Sequence, residues 1–181
     1  MRPLASPVLE NRVLGAGQFA VGAVATAAVL ADSSHRLRDA LVVLIVAVLF
    51  GGLMWARVWR RYGDAAVDGA HTAPLDAPLE APGRTVGRTV LVQVLPLAIV
   101  FAFLLGVDRH AGAILAGIAL SGAADIAALS VRLARRERGS RTALLREPRY
   151  RFAGRREGRW QMGKGALDPR DFYTRSRGEG R

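Results

Sequence analysis

Cysteine is absent from the 181 residues. Its absence excludes disulfides, thiolate metal sites and thiol nucleophiles, without identifying a redox compartment. Lysine is nearly absent: Lys164 stands alone beside 25 arginines, and alanine is abundant. That pairing reads as a GC-rich bacterial coding bias and not as a physical requirement. The three histidines, His35, His71 and His110, are isolated in expected loops. No H-E-x-x-H pair, metal-spaced histidine cluster or nucleophile elbow exists, so an enzymatic reading has no residues to rest on and no cofactor or metal is expected. Carboxylates are missing from the long apolar runs, with one exception, Asp125.

Two partial motif matches carry no chemistry. Gly15-x-Gly17-x-x-Ala20 fits a dinucleotide fingerprint, but that motif needs a preceding strand and an acid about 20 residues on. Gly158 to Lys164 fits most of a phosphate-binding loop, but Gly165 occupies the metal-binding Ser/Thr position and no buried strand precedes it.

What is present is apolar length. Four stretches, at about 13–31, 40–56, 89–107 and 111–131, are nearly free of charge. At 1.5 Å per helical residue, about 20 residues match the ~30 Å hydrocarbon core of a bilayer. A cleaved signal peptide is the competing reading of the first stretch, with Val29-x-Ala31 before Asp32. The stretch is longer than a signal core and further apolar runs follow it. The connections at 32–39 and 108–110 are short, so each pair of runs forms an antiparallel hairpin. The expected fold class is therefore all-α: an integral membrane protein with a four-helix transmembrane bundle of two antiparallel hairpins and a basic C-terminal tail.

The intervening segment 57–88 carries Trp59 and arginines, then prolines at 74, 78 and 82, and reads as a solvated cytoplasmic linker. Its tandem Gly-Arg-Thr-Val repeat (83–90) suggests no function by itself. Pro96 predicts a kink in the third span. The domain division is a transmembrane domain at 1–131 and a basic cytoplasmic tail at 132–181. The formal charges of these two parts are +1 and +10. Helix is expected to run on to Arg138 and stop at Gly139, and a short helix is expected over Ser140–Glu147. Arginine counts beside the spans place both termini and the linker in the cytoplasm of a bacterial inner (plasma) membrane.

Within the spans, Gln18, Gln93 and Asp125 fall at similar depth, as do Gly51 and Gly52. They predict an intramembrane polar layer in which Asp125 packs toward Gln93 across the tight hairpin. Ala113, Gly117 and Ser121 recur every four residues before Asp125, forming a small-residue face that admits a neighbouring helix. Arg132, Arg135, Arg136 and Trp160 are the candidate contacts to a lipid surface or partner. The expected partners are the bilayer, anionic lipid head groups at the tail, and a protein partner or a second copy. Nucleic acid is not expected, because no folded recognition module accompanies the basic tail. The functional expectation is an accessory, assembly or scaffold component of the membrane. The alternative is a small oligomeric transporter or channel with an ion- or proton-responsive site at Asp125.

Overall fold

A computed structural model describes residues 3–31, 36–54, 68–74, 76–146, 153–156, 159–162 and 172–176. Most of them are helical. Helix α1 spans Pro7–Ala31 and α2 spans Arg36–Met54. Helix α3 spans Pro82–Val107 and contains a π-turn at Val90–Val94, and α4 spans Arg109–Ser140. Three of these, α1, α3 and α4, are long and apolar enough to cross a membrane. In α2 the uncharged part begins only after Asp39, leaving fifteen residues, or about 22 Å.

The sequence explains the helix boundaries. Ser6 precedes α1 as its cap, accepting a 3.4 Å hydrogen bond from the Leu9 N–H, and Pro7 fills the first helical position. Pro82 does the same for α3, whose cap residue Ala81 is extended. The third helix therefore starts seven residues earlier than the apolar run suggests, and takes in the Gly-Arg-Thr-Val repeat. Pro96 has no N–H and would press on the Val92 carbonyl of a regular helix. The π-turn immediately before it widens the backbone there, with the Leu95 N–H bonded back to the Val90 carbonyl.

Helix α4 is the central element, with α1 packed on one side and α2 on the other. Close approach depends on small residues. A Cβ on Gly117 would lie 2.7 Å from the Val43 carbonyl oxygen of α2, and one on Gly22 would lie 3.0 Å from the Leu120 side chain. The apolar core at this depth is Ala25, Val29, Val43, Phe101, Ala113, Ala116 and Ala119. Outward-facing positions of α2 and α3 are large and apolar, among them Leu44, Val48, Leu91, Ile99 and Phe103.

At one end of the helices sits a three-stranded sheet. Its strands are β1 (His71–Thr72), β2 (Thr142–Arg146) and β5 (Phe172–Ser176), with β5 central. β2 runs antiparallel to β5, with Leu145 opposite Tyr173 and Arg146 opposite Phe172; β1 runs parallel to β5. Two short strands, β3 (Ala153–Arg156) and β4 (Arg159–Met162), form a separate hairpin. One face of the larger sheet presents Leu144 and Phe172 to Val8, Leu129 and Leu133 at the helix ends. The other presents Leu145 and Tyr173 to Leu4, Ala73 and Ala77.

The chain is mostly helical, as expected, and the cap adds short strands to it. Two further expectations are corrected by this cap. The expected helix Ser140–Glu147 is strand β2: α4 runs through Ser140, Arg141 turns the chain at φ 54°, and Leu144 and Leu145 are then buried on opposite faces, which a strand allows. Residues 68–74 and 76–81 are not a solvated linker. Proline does keep them from forming helix, but their small apolar side chains cover the outer sheet face, and Ala73, Ala77 and Glu80 are buried. Residues 57–67 of that segment, Trp59 among them, lie outside the described residues.

Candidate functional site

The cap is joined to the helices by four buried charges. Glu10 lies on α1 three residues before its apolar stretch, and is 1% exposed. Its carboxylate accepts from Arg88 Nη1 at 3.1 Å and from Gln93 Nε2 at 3.1 Å, both on α3. Its other oxygen accepts from Arg146 Nη2 of β2. Arg88 turns the rest of its guanidinium to Glu80, through Nε at 3.2 Å and Nη2 at 3.0 Å. The Thr85 hydroxyl donates to Glu80 Oε2 at 3.0 Å. The guanidinium of Arg146 also lies 5.8 Å from the centre of the Phe172 ring. Arg146, Glu10, Arg88 and Glu80 thus alternate in sign and sum to zero, which is the condition for placing four charges out of water.

Local structure explains how these residues converge. Thr85, Arg88 and Thr89 share one face of α3 by their i, i+3 and i+4 spacing, and all three are buried. Gln93 is five residues beyond Arg88. In a regular α-helix that spacing turns two side chains about 140° apart. The π-turn, bonded i to i+5, brings both to the same carboxylate oxygen. Backbone pairing locates the remaining members. Ala5 and Arg146 exchange two 2.8 Å hydrogen bonds, and Leu4 pairs with the linker through the Pro78 carbonyl and the Glu80 N–H.

The membrane-depth candidates are arranged differently from the expectation. The Gln93 amide goes to Glu10, and no Gln93–Asp125 hydrogen bond forms among the described residues. Asp125 is half-buried on α4, on a face between that of Ser121 and that of Gly122. Gln18 is close to Gly122, where a Cβ would meet its Oε1 at 2.9 Å. Ser121 is close to Gly51 of α2, where a Cβ would lie 3.1 Å from its Oγ. Both Gln18 Oε1 and Ser121 Oγ are buried without a hydrogen bond among the described residues. Ala113, Gly117 and Ser121 are all buried, with Gly117 and Ser121 against α2.

Of the basic candidates, Arg132 and Arg135 are exposed on the last turns of α4, and Arg136 forms an ion pair with Asp68. Trp160 lies on β4. Among the described residues, no three His, Asp or Glu side chains come together as a metal cluster would require.

The buried cluster was missed by sequence reasoning. Glu10 and Arg88 each stand just outside an apolar run, which was the available signal for two facing charges at equal depth. Nothing local points to Glu80 or Arg146. No family model matches the chain, and no curated protein or solved structure is similar to it.

Proposed function

We propose that the chain is a multi-pass protein of a bacterial inner membrane that acts as an accessory or assembly scaffold. Four helices cross the bilayer, and the cap with both termini lies in the cytoplasm. The observation that carries this reading is the closed charge cluster of Glu10, Arg88, Glu80 and Arg146. It joins the start of α1, the segment before α3 and the strand after α4 through buried ion pairs. A cap fastened in this way to apolar helices offers a surface for partners.

The cluster also supports the fourth crossing. Helix α1 leaves the cap and α3 begins in it, so the chain must return between them, and α2 is the described helix available. Its apolar length is below ~30 Å, which Arg36 and Arg38 at its first turn can offset by reaching to the interface. The arginine-rich cap end is then cytoplasmic.

The transporter or channel alternative rests on half-buried Asp125 of α4 and on the buried Gln18 Oε1 and Ser121 Oγ, which have no hydrogen bond among the described residues. The two readings separate by experiment. Purification of the tagged chain in mild detergent is expected to recover a stoichiometric protein partner, and proteoliposomes are expected to show no ion flux. Flux abolished by Asp125→Asn, with no partner recovered, would reverse the assignment.

A further inference from the structure

A groove of about 620 Å³ runs along the outer side of the α1–α4 contact. Gly15, Ala16, Ala123, Ala124 and Ala127 form its floor and sides, and Phe19 and Leu120 close its inner end. Arg12 and Ser130 stand at the other end, the one beside the cap. The Ser130 hydroxyl donates to the Ala127 carbonyl at 2.8 Å, so it adds little polarity of its own. Exposed Arg12 is the charge at the mouth.

We propose that this groove binds one acyl chain of an anionic phospholipid of the cap-side leaflet, with Arg12 holding the head-group phosphate. Length is the first argument. From Ser130 to Leu120 is ten residues, about 15 Å, and from Arg12 to Phe19 is seven, about 10 Å. The groove is therefore about one leaflet deep, half of the ~30 Å core, and its charged end falls at head-group level. Charge is the second. The lining holds a cation and no carboxylate, which suits a phosphate. The third argument excludes the other obvious occupant. Two copies inserted in the same orientation, and packed about this groove by a two-fold axis along the membrane normal, would place Arg12 against Arg12. The inference rests on reading α1 and α4 as membrane spans.

The test uses the full chain reconstituted in nanodiscs of equal phosphatidylglycerol and phosphatidylcholine, then released for native mass spectrometry. The expected result is one retained phosphatidylglycerol, favoured about fivefold or more over phosphatidylcholine, as one surface arginine supplies. Arg12→Gln is expected to bring the preference near parity. Ala124→Trp and Ala16→Trp, both at exposed positions, are expected to fill the groove and remove the retained lipid with the melting temperature unchanged. Arg84→Gln, an exposed arginine of the cap away from the groove, is expected to leave the preference intact. Equal retention of both lipids by the unmodified chain would overturn the site, as would a loss in Arg84→Gln equal to that in Arg12→Gln. A lipid-free dimer split by Ala124→Trp would assign the groove to a second copy. A chain that does not enter the nanodisc at all would overturn the membrane reading together with the site.

Discussion

Glu10 ties α1 to both α3 and β2 through one carboxylate. It is buried between two guanidiniums and an amide, so its removal leaves Arg88 and Arg146 facing each other across a dry space. Breaking a buried ion pair by removing one partner costs about 3–5 kcal/mol. Glu10→Gln is expected to lower stability by about that amount, measured by denaturant unfolding in detergent. Glu10→Gln combined with Arg146→Met should recover a large part of the loss, because the paired charge goes as well. Gln93 gives a second test at this scale. Its bond to Glu10 predicts that Gln93→Leu and Glu10→Gln are non-additive. Gln93→Leu and Asp125→Leu should add to within about 0.5 kcal/mol, since no hydrogen bond joins them. Coupling of Gln93 to Asp125 instead would restore the polar layer drawn from depth alone. Depth was legible because charge and amide positions can be counted from the ends of an apolar run. Partner choice was not, because a π-turn between Arg88 and Gln93 changes which way each points.

Among the elements, α4 carries the most packing, and its face toward α2 can be tested by adding a single carbon. A Cβ on Gly117 meets the Val43 carbonyl oxygen at 2.7 Å and Val46 Cβ at 2.9 Å, and backbone of α2 cannot yield without moving the helix. Gly117→Ala is expected to destabilise by about 1–3 kcal/mol, the usual cost of overpacking. Gly52→Ala on α2, with nothing within 4 Å of the added carbon, should be neutral or stabilising by up to about 1 kcal/mol from helix propensity. Equal effects in the two variants, read from the same unfolding curves, would mean that α2 does not rest on α4 at this point. The helices were legible element by element, because apolar length needs no partner to be recognised. The strands were not. Thr142–Arg146 is five residues long, and its pairing partner begins at Phe172, so neither is distinguishable from tail without the other.

At the scale of the whole molecule, the cap reverses the meaning of the basic C-terminal region. Part of that region is structural: the end of α4 and strands β2 and β5 close over the helix ends, and Arg146 enters the buried cluster. The arginines left on the outside include Arg84, Arg135 and Arg138. The pairing of Leu4 with the linker and Ala5 with β2 puts the start of the chain, the middle segment and the strand after α4 on one side. A chain that spans four times satisfies this, and one that spans three times from the same start does not. Under the proposed function, the positive residues would put that side in the cytoplasm. Cysteine substituted at exposed Asp108, in the tight turn between α3 and α4, is expected to react with an impermeant thiol reagent on intact cells. Cysteine at exposed Asp76 in the cap should react only after the membrane is opened. The native chain has no cysteine, so each signal has a single source. Reaction at Asp76 with silence at Asp108 would invert the protein. Reaction at both sites in intact cells would mean that α3 does not cross, and the cap would then have to be joined to the bilayer by α1 and α4 in some other arrangement.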